Sequence, residues 1–229
     1  MSVRYLALRL AADSGWAVAS IDYRLAPEHP FPAGLEDVLE ATQWLVGHAG
    51  RLGLRRDRVV LAGDSAGGNL VTAALQLAKE REMSVLLEQI GLQLLIYPWL
   101  ELSCLTCYAS QLDNGAWGTV TLHSIARMIQ YYAGNERAAS HSLISPVLAT
   151  TAQLQGLPPA VVFTAELDPL RDEGEAYAAK LAAAGVPTTL TRYNGTVHGF
   201  IFFHTSAHFE GIADIVRHLE HFATQWGWS

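Results

Sequence analysis

The stretch Val59-Val60-Leu61-Ala62-Gly63-Asp64-Ser65-Ala66-Gly67-Gly68 decides the fold of this chain. Its first half is an apolar run that predicts a buried strand, and a helix-like segment follows it as far as Glu80. Gly-x-Ser-x-Gly between a strand and a helix is the pattern of a nucleophile elbow, a sharp turn that lifts the serine Oγ above the sheet edge. The free N–H groups of a helix N-terminus also favour negative charge there. The stretch therefore predicts an α/β architecture with Ser65 as a nucleophile.

The residues around Ser65 each receive a role in this turn. A turn this tight is expected to exclude side chains on both flanks, which explains Gly63 and Gly67, while Asp64 completes the elbow. The Ala66 N–H follows the nucleophile and is expected to donate to an oxyanion. A plain helix N-cap is the competing interpretation of the serine, since serine is common at that position.

Two further strand ends carry the partners that a serine nucleophile needs. Ala160–Ala165 reads as a buried strand, with Asp168 just beyond it, and Thr188–Tyr193 reads as another, with His198 in the loop that follows. Serine, acid and histidine thus occur in the order typical of this kind of elbow. Because the carboxyl ends of parallel strands form the site-bearing edge of an α/β sheet, Ser65, Asp168 and His198 are predicted to meet there.

Other residues compete for the acid and histidine roles. Glu166, Asp172 and Glu173 cluster near Asp168, although the last two suit the first turn of the next helix, where they favour its dipole. Eight further histidines are less favoured because several lie on helix faces: His29, His48, His123, His141, His204, His208, His218 and His221. Trp99 and Trp117 could line a pocket, with ordinary packing as the simpler role.

Four segments together resemble the hormone-sensitive lipase family of α/β-hydrolases, in its bacterial esterase branch. They are Asp22–Pro32, Gly63–Gly68, Asp168–Gly174 and His198–Phe200. The resemblance implies an α/β-hydrolase fold with Ser65 as nucleophile, His198 as general base and Asp168 as the acid that orients it. It also implies hydrolysis of short- to medium-chain carboxylic esters without a metal or organic cofactor.

One departure from the family is important. The chain has no His-Gly-Gly motif, whose N–H groups supply most of the family's oxyanion hole, and it starts at Met1 near where the next helix should begin. We therefore expect an N-terminally truncated member, or one translated from an internal start, that lacks the first strands and the N-terminal cap. The Trp16–Tyr23 strand is expected to move over and pair with Val59–Asp64, or another chain should cover the exposed surface, which favours a homo-oligomer.

Loss of oxyanion donors leaves the activity open to two interpretations. Since one donor is typically worth about 10²–10³ in kcat, we expect a weakened esterase, and the alternative is a hydrolase-fold scaffold without significant turnover. A peptidase is less favoured because no substrate-gating domain is present. A dehalogenase is excluded because it would need a carboxylate in place of Ser65.

Composition sets the remaining limits. The 229 residues are 50% hydrophobic with a net charge of −7, so nucleic acid is not expected as a partner. The N-terminus lacks a signal-peptide pattern and no run could span a membrane, so a cytoplasmic location is expected. Cys104 and Cys107 lack the further ligands of a zinc site and are expected to be free thiols, so no metal site is predicted.

Alternating strands and helices predict one domain over residues 1–229, with 100–157 as a cap-like insertion beside the substrate pocket. Asp22, Arg24 and Glu28 suggest a salt-bridged turn. Further elements are expected as strands at 16–23, 58–63 and 91–99, as helices at 4–14, 119–132 and 173–184, and as a final helix with an apolar stripe from Phe209 to Trp226.

Overall fold

The computed structural model describes residues 3–225, and the predicted stripe residue Trp226 lies outside this range. The strands are β1 (Val59–Asp64), β2 (Ile90–Ile96), β3 (Ala160–Ala165) and β4 (Thr188–Tyr193). The helices are α1 (Val3–Ser14), α2 (Ala33–His48), α3 (Ala66–Glu80), α4 (Ser84–Gln89), α5 (Ala109–Asn114), α6 (Leu122–Ala133), α7 (Glu136–Ala139), α8 (Thr151–Leu154), α9 (Arg171–Ala183) and α10 (Ser206–Gln225). Short 3₁₀ turns cover Ala49–Leu52, Pro146–Leu148 and Phe200–Phe202.

The chain forms two compact units, and the larger one, Tyr23–His198, holds the sheet. Its four strands are parallel in the order β1-β2-β3-β4. The apolar runs of β2 and β3 are almost fully buried, as expected of central parallel strands, whereas β1 and β4 are partly exposed edges. Helix α3 packs against β1 and β2, and α9 packs against β3 and β4. The predicted architecture of a mostly parallel sheet flanked by helices is confirmed.

The smaller unit contains the described parts of Met1–Asp22 and Gly199–Ser229. In it α10 packs against α1 and the 3₁₀ turn at Phe200–Phe202. The buried face of α10 carries Ile212, Ile215 and Leu219, whereas Phe209 is exposed, so the predicted stripe is only partly correct. Across residues 3–225, no helix is both long enough and apolar enough to cross a bilayer.

The predicted strand Trp16–Tyr23 is wrong. Residues 15–25 adopt no regular structure, and in the described chain β1 pairs with β2 alone. A strand persists only where a neighbour takes up its backbone hydrogen bonds, and this segment has none in the sheet, so its apolar composition is not enough. The expected pairing of this segment with Val59–Asp64 is therefore also wrong.

Two local predictions are corrected by side-chain contacts. Cys104 and Cys107 are not free thiols but form a disulfide, because the intervening turn brings their Cα atoms to 5.8 Å, within the range that a disulfide requires. Arg24 pairs with Asp37 of α2, with 2.8 Å between Nη2 and Oδ1, rather than within the predicted turn.

Candidate active site

Ser65 occupies the turn between β1 and α3 in a strained backbone conformation. Its φ of 51° and ψ of −118° lie outside the regions that residues other than glycine favour. The Ser65 N–H donates to Ile96 O at 2.9 Å, and the Ser65 carbonyl accepts from Trp99 N at 3.1 Å and Asn69 N at 3.2 Å. The last residue of β2 therefore fixes the N–H of the serine, and Trp99 beyond β2 and Asn69 of α3 fix its carbonyl.

The glycines of the elbow do not all serve the role that the sequence predicts. A Cβ on Gly63 would collide with the Gly67 carbonyl group, and one on Gly68 would lie 2.7 Å from Pro98 Cβ. A Cβ on Gly67 would meet no atom within 4 Å, apart from its chain neighbours and its own helix backbone. Steric exclusion therefore acts at Gly63 and Gly68, and the prediction that Gly67 is required by crowding is wrong.

The structure brings Ser65, His198 and Asp168 into one hydrogen-bonded chain. His198 Nε2 lies 2.9 Å from Ser65 Oγ, and His198 Nδ1 lies 2.7 Å from Asp168 Oδ2. Asp168 Oδ1 accepts from Leu170 N at 2.9 Å, which fixes the orientation of the carboxylate. Asp168 is fully buried and His198 nearly so, whereas the serine is half-buried. This arrangement can pass a proton from the hydroxyl to the imidazole.

The competing acids are bonded elsewhere. Glu166 Oε2 accepts from Gly195 N at 2.6 Å. Asp172 accepts from Ser110 N and pairs with Arg171, which together hold the pKa of its carboxyl low against the opposing effect of burial. Among these candidates only Asp168 contacts the histidine.

Two residues that the sequence analysis missed, Tyr97 and Thr119, contact His198. The Tyr97 ring lies 4.7 Å from the His198 ring, centroid to centroid, and Tyr97 directly follows β2 with a φ of 36°. Thr119 Oγ1 donates to His198 O at 2.7 Å and so anchors the histidine loop. Burial raises the pKa of Asp64, and the nearby His198 offsets part of that rise. The sequence contained no signal for Thr119, since its partner is distant in the chain.

Glu173 has a role that the sequence analysis did not predict. It lies in the first turn of α9, as predicted, but its side chain is fully buried. Its Oε1 accepts from Leu100 N at 2.6 Å and Glu101 N at 3.0 Å. Burial raises the pKa of this carboxyl well above its ordinary value, and the two backbone N–H groups oppose the rise. Glu173 thus fixes the loop that follows Trp99.

A cavity of about 210 Å³ opens beside Ala66, the residue that follows the nucleophile. Ala66, an exposed residue, lines one side of it, and Trp99 lines another, whereas Trp117 is an exposed side chain that does not line it. The remaining lining residues are Tyr23, Arg24, Leu25, Ala26, Gly34, Asn69, Leu70, Leu102, Met128, Tyr131 and Tyr132. The cavity is therefore mostly apolar and close to the predicted oxyanion donor.

Within residues 3–225, no group of three metal-ligating side chains comes together.

The chain is similar in sequence and in fold to known esterases. Residues 2–202 match a family described as having the alpha/beta hydrolase fold. An arylesterase of Saccharolobus solfataricus is 38% identical over 184 residues, which cover 80% of this chain. An ethyl acetate hydrolase of Pseudomonas putida is 36% identical over 197 residues, which cover 86% of this chain. The structure of a hyperthermophilic esterase from the archaeon Pyrobaculum calidifontis superposes with a TM-score of 0.89 at 37% identity, covering 96% of this chain and 71% of that one.

The matched region is shorter than the curated relatives. It spans 58% of the arylesterase and 59% of the ethyl acetate hydrolase. The family match over residues 2–202 includes the elbow, the acid loop and the histidine loop described above.

Proposed function

The chain belongs to the α/β-hydrolase family, in its hormone-sensitive lipase branch, and on this premise we propose that it is a carboxylic ester hydrolase. The observation that carries the proposal is the pair of hydrogen bonds that join Ser65 Oγ to His198 and His198 to Asp168, at 2.9 and 2.7 Å. A half-exposed hydroxyl beside a buried, oriented imidazole suits covalent catalysis.

In the proposed mechanism His198 takes the proton from Ser65 as Oγ attacks the ester carbonyl. Asp168 keeps the imidazole in the tautomer that accepts at Nε2 and stabilises the cation once it forms. The imidazolium then protonates the leaving alcohol, and an acyl-enzyme remains. Water, activated by the same histidine, releases the acid and restores Ser65. Every proton moves through His198 Nε2, while the hydrogen bond from Nδ1 to Asp168 keeps the ring oriented throughout.

The oxyanion that forms during attack needs hydrogen-bond donors. We propose the Ala66 N–H as one donor, because it follows the nucleophile at the start of α3, where the helix dipole also favours negative charge. Since each donor is worth about 10²–10³ in kcat, the number of donors that meet the substrate sets how fast this chain turns over. With Ala66 as the main donor, we expect slow but measurable hydrolysis.

We further propose short acyl esters as the preferred substrates. The cavity beside Ala66 measures about 210 Å³, which is below the roughly 300–1,000 Å³ of pockets that hold drug-sized ligands. Its apolar lining suits an acyl chain of a few carbons. The similarity to an ethyl acetate hydrolase supports the same substrate size.

The test is hydrolysis of p-nitrophenyl acetate, butyrate and octanoate by the chain, with Ser65→Ala as the control. We expect turnover of acetate and butyrate that the substitution abolishes, and weaker turnover of octanoate. Because a serine hydroxyl outside a triad would leave the rate unchanged on substitution, turnover equal to that of Ser65→Ala would refute the proposal and favour a scaffold without esterase activity.

A further inference from the structure

The Cys104–Cys107 disulfide lies in the segment between β2 and α5, and one of its ends is open to solvent. Cys107 is exposed, whereas Cys104 is half-buried. No other cysteine occurs in the sequence. Exposed disulfides are the ones that external thiols attack readily, and they are more often labile or regulatory than structural. A thiol reductant can therefore change the covalent structure of this chain at one place.

The helix that follows the disulfide is bonded to the loop of the triad acid. Ser110 Oγ donates to Pro169 O at 2.9 Å, and Ser110 N donates to Asp172 Oδ2 at 2.8 Å. Asn114 Nδ2 reaches Asp168 O at 3.5 Å. Helix α5 has only six residues, so these contacts rather than its own hydrogen bonds hold it in place. A shift of α5 would therefore change the position of the loop that carries Asp168.

A second path leads from the disulfide to the nucleophile. Gln111 Nε2 donates both to Cys104 O and to Glu173 Oε2, each at 3.3 Å. Glu173 in turn accepts from the N–H of Leu100. The neighbouring Trp99 N–H donates to the Ser65 carbonyl. The Cys104 backbone thus connects through buried polar groups to the turn that presents the serine.

We propose that this disulfide is a thiol–disulfide exchange site through which a dithiol reductant lowers the turnover of the active site. The inference rests on the proposed esterase function. A thiolate of the reductant attacks the sulfur of Cys107, the exposed residue of the pair, and Cys104 leaves as a thiolate that takes up a proton. The second thiol of the reductant then attacks the mixed disulfide and releases Cys107. The reductant is oxidised to a disulfide, and the protein gains two electrons and two protons.

Reduction acts on the position of α5. The closed loop restricts the backbone of residues 104–107, and opening it restores conformational freedom to that segment. The hydrogen bond from Gln111 to Cys104 O then forms in a smaller fraction of molecules, and the bonds from α5 to the acid loop weaken with it. Because these contacts orient Asp168 and Ser65, the effect falls mainly on kcat.

The experiment compares the oxidised chain with the chain after treatment with excess dithiothreitol and removal of the reagent. Thiols are counted with a chromogenic disulfide, kcat and KM are measured for p-nitrophenyl butyrate, and amide hydrogen exchange is followed in α5 and in α8 as an internal reference. We expect two thiols to appear and kcat to fall by about fivefold or more. Exchange should become faster in α5 but not in α8, and reoxidation should restore all three values.

Two variants separate the exchange reaction from general loosening of the fold. The double substitution Cys104→Ser and Cys107→Ser should have the low kcat of the reduced chain and should not respond to the reductant. Leu112→Ala, which trims an exposed side chain of the same helix, should respond as the unmodified chain does.

Each failure has a distinct meaning. Two thiols without a change in kcat or in α5 exchange would overturn the link to the active site, and a disulfide that resists dithiothreitol in the folded chain would overturn the exchange site. If the oxidised chain hydrolyses no ester, the esterase proposal fails by itself, whereas thiol counts and α5 exchange still decide whether reduction frees the helix.

Discussion

Replacing Gly68 with alanine should destabilise the chain, whereas the same replacement at Gly67 should not. A Cβ at position 68 would lie 2.7 Å from Pro98 Cβ and 3.1 Å from Pro98 Cα. Carbon atoms in contact prefer about 3.5–4.0 Å, so the Pro98 Cβ would have to move by about 0.8–1.3 Å to reach that distance. Overpacking of this kind costs about 1–3 kcal/mol of unfolding free energy.

The neighbouring glycine provides the matched control. Gly67 lies outside the left-handed φ region, and a Cβ there meets no neighbouring atom within 4 Å. Alanine in such a helical position stabilises by about 0.4–1 kcal/mol, because it restricts the unfolded chain. The unfolding free energies of the two variants should therefore differ by about 1.4–4 kcal/mol, with Gly67→Ala the more stable.

Urea unfolding followed by tryptophan fluorescence measures both free energies. Hydrolysis of p-nitrophenyl acetate by each variant shows whether the activity changes as well. Since Pro98 lies between Tyr97 and Trp99, its displacement by Gly68→Ala should also lower kcat/KM. A Gly68→Ala variant as stable as the unmodified chain would refute the steric reasoning, as would a loss of more than about 1 kcal/mol in Gly67→Ala.

Three other predictions follow from the site. Asp168→Asn should leave the fold intact but lower kcat by about 10⁴, because an amide no longer fixes the tautomer of His198; a loss below tenfold in steady-state assays would contradict the role. Thr119→Val removes the donor to His198 O and should lower kcat by up to about tenfold with little change in KM, whereas Thr106→Val on an exposed turn should change neither. The raised pKa of Glu173 means that it stays protonated in the folded chain above pH 4.5, where it ionises in the unfolded chain, so its contribution to stability is lost as pH rises. Glu173→Gln should remove this pH-dependent loss of unfolding free energy, which reaches at most about 1.4 kcal/mol per pH unit. Urea unfolding from pH 4 upward measures the free energy of each protein. If it changes with pH in the same way in the variant and in the unmodified chain, the role assigned to Glu173 is wrong.

The sequence predicts the elements whose signals are local. The apolar run before Ser65, the helix behind it and the strand Thr188–Tyr193 appear in the structure close to their predicted bounds, because each pattern depends on neighbours in the chain. The order of Ser65, Asp168 and His198 at strand ends likewise predicts that they lie at one edge of the sheet, since parallel strands share a direction.

What the sequence could not predict depends on partners far along the chain. The segment Trp16–Tyr23 has the composition of a strand but lacks a neighbour that would pair with it. Glu173 looked like an acid that favours a helix dipole, yet its buried position opposite Leu100 follows from how two loops meet. The Cys104–Cys107 bridge required a turn geometry that spacing alone leaves open. The homo-oligomer remains a prediction.

The backbone bonds of Ser65 bear on how the nucleophile moves. The serine belongs covalently to β1, an edge strand, yet its N–H and carbonyl are both held by residues at and beyond the end of β2, a buried central strand. Local opening of β1 at its unpaired edge need not disturb Ser65, because the hydrogen bonds that hold its backbone come from the side of β2. The amide hydrogen of Ser65 should therefore exchange with the slow rates of β2 rather than the faster rates of β1, so the reacting hydroxyl shares the rigidity of the sheet's interior while standing at its border.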